Sequence, residues 1–281
     1  MLASSKALVQ VVFVSTLFVL TGCIGEEDKD ENPTNSDGET VDDTSLALNG
    51  FWNGGLDQTE TLRVLIYNGN VYGLDEDKGF FGTVESPAAE EVDFSLTAYP
   101  FSYEDSGNNE FVADGLAISY TINGLLASNT TLVAEYATDA SEFGSITLVN
   151  DTTYSKNSSL VSLMGQWTTT DIEINITSRG KFLGFNKATG KDCSFEGQFA
   201  VINASNSLLS MTINRRNCDD FNGESTGFAA VNGDGELELY LRSGSSLLFM
   251  KFAPPTSSGG DTPADGEGET PAEGDEQTPA G

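Results

Sequence analysis

Three stretches bring oxygen donors close enough together to raise the question of a divalent-cation site: DEDKG at residues 75–79, NGDGELE at residues 232–238 and NCDDFNGE at residues 217–224. A calcium loop needs alternating oxygen ligands, a glycine at the sharp turn and a bidentate Glu at a fixed distance. The first stretch lacks a third acidic ligand before Gly79, and no Glu follows at the required spacing. In the second, Asn232, Asp234 and Glu236 alternate, but Gly233 and Gly235 mark a tight turn. Both are expected to be hairpin turns. The third clusters acids beside Cys218 and is the best of three weak metal candidates. No metal site is assigned on this basis, and no cofactor is expected.

Other chemistries are excluded by composition. Histidine is absent, which removes imidazole acid–base catalysis, His-activated Ser or Cys nucleophiles and imidazole metal ligation. No Gly-rich phosphate loop runs from a strand into a helix, and no nucleophile elbow occurs. Glycoside hydrolysis needs only two convergent carboxylates, but nothing in the sequence marks a particular pair. The formal net charge is −30, with 13 Lys plus Arg and no basic stretch. A phosphate-binding surface needs concentrated positive charge, so nucleic acid is not an expected partner. The expectation is a non-enzymatic protein.

The N-terminus reads as an export signal. Lys6 is followed by the 14-residue apolar run ALVQVVFVSTLFVL at residues 7–20, which is short for a membrane span. It leads into LTGC at residues 20–23. This stretch resembles the lipobox of bacterial lipoproteins. The resemblance implies cleavage after residue 22 and lipidation of Cys23, hence a membrane partner reached through the lipid anchor, since several acyl chains on one residue anchor stably. Ile24 in place of Asp after the lipidated Cys favours the outer over the inner membrane in the lipoprotein sorting pattern. Residues 25–45 then carry nine acidic residues, one Lys and no aromatic residue. Such a segment cannot bury enough apolar surface to offset chain entropy, so residues 23–45 are expected to be a disordered tether. Residues 253–281 hold seven acidic and no basic residues, with TPA recurring at Thr262, Thr270 and Thr278; a second disordered arm is expected there.

With Cys23 lipidated, Cys193 and Cys218 remain as an even pair in an oxidising compartment, and a disulfide between them is expected. The segment between them reads as a hairpin turning near residues 203–206. Aligning its apolar faces pairs Phe199 with Met211 and Val201 with Leu209. That register puts Cys193 opposite Asn217, one residue short of Cys218, so a bulge or splayed strand end is needed to close the bond.

The part between the arms has 11 basic and 27 acidic residues. Its pattern is β throughout, with short runs of Val, Ile, Leu, Phe and Thr separated by Gly, Asn, Asp and Ser. The pattern also recurs. LNGFW at residues 48–52 is echoed by LMGQW at residues 163–167, and these contain the only two tryptophans. Eight candidate strands follow in similar order from each Trp. The expected architecture is therefore two tandem related antiparallel domains, residues 46–149 and 163–252, joined by a linker at 150–162. Each is expected as a small eight-stranded meander barrel, with a β-sandwich as the alternative.

The Gly-x-Trp on a first strand resembles lipocalin and avidin-like barrels, whose first-strand Trp closes one barrel end. The resemblance covers about five residues per copy and gives that structural core role to Trp52 and Trp167. The Thr-Asp-Tyr turn of lipocalins is not matched, since ATDASEF at residues 137–143 lacks the Tyr. Strands this short leave little depth for a calyx, and an eight-strand barrel is just wide enough to be filled by side chains. The functional expectation is an envelope lipoprotein serving as a non-enzymatic binding or structural module for an envelope protein or glycan. A lipocalin-like small-ligand carrier or sensor is the alternative.

Overall fold

Alternating apolar and polar residues need a partner layer on one face only, and a sheet curled into a ring provides it. The computed structural model describes residues 48–255, apart from 58, 106–108, 187–191 and 219–221. The expected signal, the tether and nearly all of the tail lie outside the described residues, and so does Cys23. All described residues belong to one compact unit. They contain no α-helix, only strands and two short 3-10 turns at Thr152–Ser155 and Val161–Leu163.

The first nine strands are β1 (Gly50–Leu56), β2 (Leu62–Tyr67), β3 (Asn70–Leu74), β4 (Lys78–Glu85), β5 (Glu91–Asp105), β6 (Glu110–Ala113), β7 (Ile118–Ser128), β8 (Thr131–Thr138) and β9 (Phe143–Asp151). All of these except β6 close an antiparallel ring in the order β1-β2-β3-β4-β5-β7-β8-β9, with β9 returning to β1 through Phe51↔Asp151 to Leu56↔Ile146. The remaining strands are β10 (Gly165–Thr168), β11 (Ile172–Ile176), β12 (Lys181–Asn186), β13 (Cys193–Val201), β14 (Leu209–Arg216), β15 (Gly223–Val231), β16 (Leu237–Ser243) and β17 (Ser246–Phe252). They form a second antiparallel meander, each strand paired with the next. Its ends meet at one bridge, Thr168↔Ala253. The expected linker at 150–162 begins inside the end of β9, carries the first 3-10 turn and ends within the second.

The short strand β6 was not expected. It lies between β5 and β17, pairing with the former from Phe101↔Ala113 to Asp105↔Glu110 and with the latter from Leu247↔Ala113 to Met250↔Glu110. The 15-residue β5 therefore serves the first ring with its first half and the second meander, through β6, with its second half. The crossing falls at Pro100, whose missing N–H ends the regular ladder and whose carbonyl accepts from the Asp114 N–H at 3.1 Å.

Three apolar clusters result. One fills the first ring around Trp52, Phe80, Phe94, Tyr120 and Leu132. One fills the second meander around Trp167, Phe182, Phe195, Phe199 and Met211. The third lies between their outer faces and includes Phe51, Leu65, Tyr72, Leu208, Tyr240 and Phe249. Strands on this seam are buried on both faces, as in Leu62–Tyr67 and Leu237–Ser243. Strands away from it, such as Thr131–Thr138, alternate buried and exposed residues.

The two Trp-bearing segments share one local geometry. Trp52 and Trp167 are buried at 0% and 3% exposure. The Trp52 indole N–H donates to the Leu48 carbonyl at 2.9 Å, and the Trp167 indole N–H donates to the Leu163 carbonyl at 2.7 Å. Between each Leu and Trp stands a glycine at positive φ, +142° at Gly50 and +127° at Gly165. A side chain at these φ values is strained. Glycine therefore lets the chain bring the Leu carbonyl back over the indole, so the buried N–H has a partner.

The Cys193–Cys218 disulfide is present, with Cα atoms 4.6 Å apart. The register has Phe199 opposite Met211 and Val201 opposite Leu209, as read from the apolar faces. Asn217 closes the one-residue gap: its φ of +59° swings the strand end so that Cys218 meets Cys193. The bond spans 25 residues, and the double variant Cys193→Ser/Cys218→Ser is expected to lose about 3 kcal/mol of unfolding free energy on loop entropy. Urea denaturation of variant and wild type checks this; a loss well below 1 kcal/mol contradicts it.

Candidate functional site

Register decides which side chains share the outer face of the second meander. Asn175 pairs with Leu183, Leu183 with Glu196, Glu196 with Asn214, and Asn214 with Glu224. One step along the strands, Lys181 pairs with Gln198 and Gln198 with Thr212, while the Thr177 N–H donates to the Lys181 carbonyl at 2.8 Å. These two rows line a groove of about 680 Å³. Its floor includes Gly197, where a Cβ would collide with the Thr212 carbonyl oxygen and with Cζ of Phe182. The ring of Phe182 takes the inward space that a side chain at 197 would need.

The groove carries mixed chemistry with little net charge. Glu196 is paired with Arg216 and also accepts from Asn214 Nδ2 at 3.5 Å. Gln198 Nε2 donates to the carbonyls of Arg179 (2.8 Å) and Phe199 (2.7 Å), so its carbonyl oxygen is what it can offer a ligand. Leu183 is 68% exposed in the middle of its row. Phe185, the next outward residue on β12, is 42% exposed.

A second polar constellation lies in the seam between ring and meander. Arg63 on β2 donates through Nη1 to Asp151 Oδ2 (2.6 Å) and Asn53 Oδ1 (2.9 Å), and through Nη2 to Glu238 Oε2 (3.1 Å). Its Cζ lies 4.6 Å from the Phe51 ring centroid. Glu238 on β16 also accepts from the Tyr240 hydroxyl at 2.8 Å and from Asn232 Nδ2 at 3.1 Å. Burial pulls the Arg63 guanidinium down, but facing Tyr240, Glu238 and Asp151 more than offset it, so the charged form is favoured. Tyr240 is pushed well up by burial and by Glu238, and stays a neutral donor. These groups are locked to one another, which is the arrangement of a structural clamp. Inside the second meander, Arg215 Nη2 pairs with Glu110 Oε1 at 2.6 Å, both side chains buried.

Asp151 gives this clamp a pH dependence. Burial raises its carboxyl, but donation from Thr153 and Arg63 outweighs that and leaves it below the ordinary carboxylate value. Its contribution is therefore complete above about pH 4 and is lost as pH falls through the depressed folded value. The drop in unfolding free energy between neutral pH and about pH 3 is expected to be smaller in Asp151→Asn than in wild type. Equal slopes in pH-dependent denaturation contradict this.

At one end of the ring, Asp57 accepts the Tyr136 hydroxyl at 2.7 Å and the Ser145 N–H at 2.9 Å. Those donors, Ser145 first, lower the Asp57 carboxyl. Burial and then the same carboxylate push Tyr136 up to about 12. This clasp ties the end of β1 to β8 and β9.

The acidic stretches at residues 75–79 and 232–238 form turns. Asp75 N–H donates to the Lys78 carbonyl at 3.0 Å, closing the hairpin between β3 and β4. Asn232 Oδ1 accepts from the N–H groups of Asp234 (3.0 Å) and Glu236 (2.9 Å), an Asx turn. In the third stretch residues 219–221 lie outside the described ones, while Asn222 Oδ1 accepts the Cys218 N–H at 2.8 Å and Glu224 joins the groove. Among the described residues no group of three or more acidic or Cys side chains is placed to hold a metal ion.

Sequence reasoning missed both the clamp and the groove. The clamp had a signal: LRVLIY and LELYL each carry one charge inside a run too apolar to face water. The groove had none, because its rows exist only once five strands are in register. No protein-family model matches the chain, and comparison with curated proteins and with solved structures returned no match.

Proposed function

We propose that this protein is a lipid-anchored lipoprotein of the bacterial envelope, more at home in the outer than the inner membrane, acting as a non-enzymatic binding module. In this reading Cys23 carries the lipid, the acidic residues 23–45 form the tether, and two β copies derived by duplication present a binding surface to an envelope protein or glycan. The duplication is supported by the shared Leu-x-Gly-x-Trp geometry of the two halves, down to the same indole-to-carbonyl hydrogen bond. The observation that carries the binding reading is the 680 Å³ groove on the outer face of β11–β15. A small-ligand carrier of lipocalin type has less support, because Trp52, Phe80, Phe94 and Tyr120 occupy the ring interior where a calyx would be.

Anchoring has a direct test. Cys23→Ala is expected to move the protein from the membrane to the soluble fraction on cell fractionation, and full retention in the membrane counts against the lipobox reading. Binding is tested by retention of the purified full chain on envelopes stripped of lipid with detergent, so that the acyl anchor cannot hold it. Leu183→Asp, on an exposed groove position, is expected to lower retention without changing the melting temperature.

A further inference from the structure

From the chemistry of the groove we infer that its ligand is an extended, uncharged β-1,4-linked N-acetylhexosamine chain. The inference rests on the binding-module reading above and adds the ligand class.

Spacing comes first. The five strands β11–β15 lie ~4.8 Å apart, so the row from Asn175 to Glu224 places one side chain per strand at about the interval of one pyranose ring, over roughly 19 Å. An extended glycan laid across the strands meets a new polar group at each ring. A peptide strand would add instead at a sheet edge through backbone bonds, and this groove is a sheet face whose backbone groups are already paired.

Charge comes second. The chain carries a formal −30, which repels polyanions and rejects acidic glycans and nucleic acids. Within the groove Lys181 and the neighbouring Arg216 stand against Glu196 and Glu224. The surface is nearly neutral and mostly apolar, with amides at Asn175, Gln198 and Asn214 and hydroxyls at Thr177 and Thr212 set along it to meet sugar hydroxyls.

The N-acetyl group is assigned by the centre of the row. Leu183, 68% exposed, is flanked in register by Asn175 and Glu196. An acetamido methyl covers Leu183, its carbonyl accepts from the Asn175 amide and its N–H donates to the Glu196 carboxylate. Such a three-part match discriminates because a sugar with a hydroxyl in place of acetamide leaves Leu183 uncovered and the Glu196–Asn175 pair unmatched.

The test is isothermal titration of the full-length protein in detergent with chitohexaose, and with cellohexaose as the same β-1,4 chain lacking acetamide. Saturable binding of chitohexaose is expected, at least about tenfold tighter than cellohexaose, with about tenfold weakening in each of Leu183→Asp and Asn175→Ala. Circular dichroism of the variants is expected to match wild type, since both positions are exposed. Absence of saturable chitohexaose binding up to ~5 mM, equal binding of the two hexaoses, or variants that bind like wild type overturns the inference. The envelope-retention assay separates the two readings. If Leu183→Asp loses retention while chitohexaose does not bind, the glycan assignment fails and the binding module stands. If retention is unchanged as well, both fail.

Discussion

Trp167→Ala is expected to lower the unfolding free energy by about 3–5 kcal/mol, among the largest effects of any single substitution in the chain. Trp167 is 3% exposed at the centre of the second core, and its indole N–H is bound to the Leu163 carbonyl. Truncation opens a cavity that Phe182, Phe199 and Phe252, themselves fixed by neighbours, can fill only in part. Trp167→Phe keeps most of the apolar area but leaves the Leu163 carbonyl without its donor, so a smaller loss of about 1–3 kcal/mol is expected.

The presence of only two tryptophans makes this variant a probe of coupling. In Trp167→Ala the remaining fluorophore, Trp52, reports on the first ring alone. Its urea transition is expected to shift together with the far-ultraviolet dichroism of the whole protein. The reason is the seam: β5, β6 and β17 form one hydrogen-bonded ladder across both halves, and the third apolar cluster is shared. A Trp52 transition that stays at its wild-type midpoint while the dichroism moves means that the halves unfold independently, contrary to expectation.

Arg63→Met is expected to cost about 3–5 kcal/mol, a loss typical of a buried ion pair stripped of one partner. Arg63 is 11% exposed and bridges Asp151 at the end of β9 to Glu238 on β16, which is 5% exposed. Removing the guanidinium leaves Glu238 facing Tyr240 and Asn232 with no positive charge. Arg63→Lys is expected to recover little, because one ammonium lacks the planar fork that reaches Asn53, Asp151 and Glu238 together. The double variant Arg63→Met/Glu238→Met is expected to be more stable than Arg63→Met alone, since no buried charge remains opposite Tyr240. Denaturation of the three variants decides the matter; a loss below about 1 kcal/mol for Arg63→Met sinks the clamp as a stabilising device.

Much of the strand pattern was readable from residue order. The eight runs of the second half, from QWTTT to LLFMKFA, correspond to β10–β17, and eight runs of the first half correspond to the ring strands. The reason is local: alternation, β-branched residues and Asn-Gly turns act within a few residues of each other. The Phe199↔Met211 register was readable because only that pairing puts both apolar faces on one side. The strand β6 was not readable. Its four residues, EFVA, are too few to show a period, and they are extended because β5 and β17 flank them.

The same contrast holds for the seam and the groove. A run such as LRVLIY says that both faces of a strand are covered, but it does not say by what. The covering layer proves to be the outer face of the other half, with Arg63 reaching Glu238 across 175 residues of sequence. The groove rows draw on residues from Asn175 to Glu224, each an ordinary outward polar residue of its own strand.

By itself the sequence determined the all-β class, the strand order, the paired cysteines and the absence of imidazole chemistry, because these follow from residue type and short-range spacing. Only the tertiary structure decided that ring and meander are joined through β6 and which outward residues stand side by side in the groove. Such neighbours are set by register between strands, and register accumulates over the whole sheet.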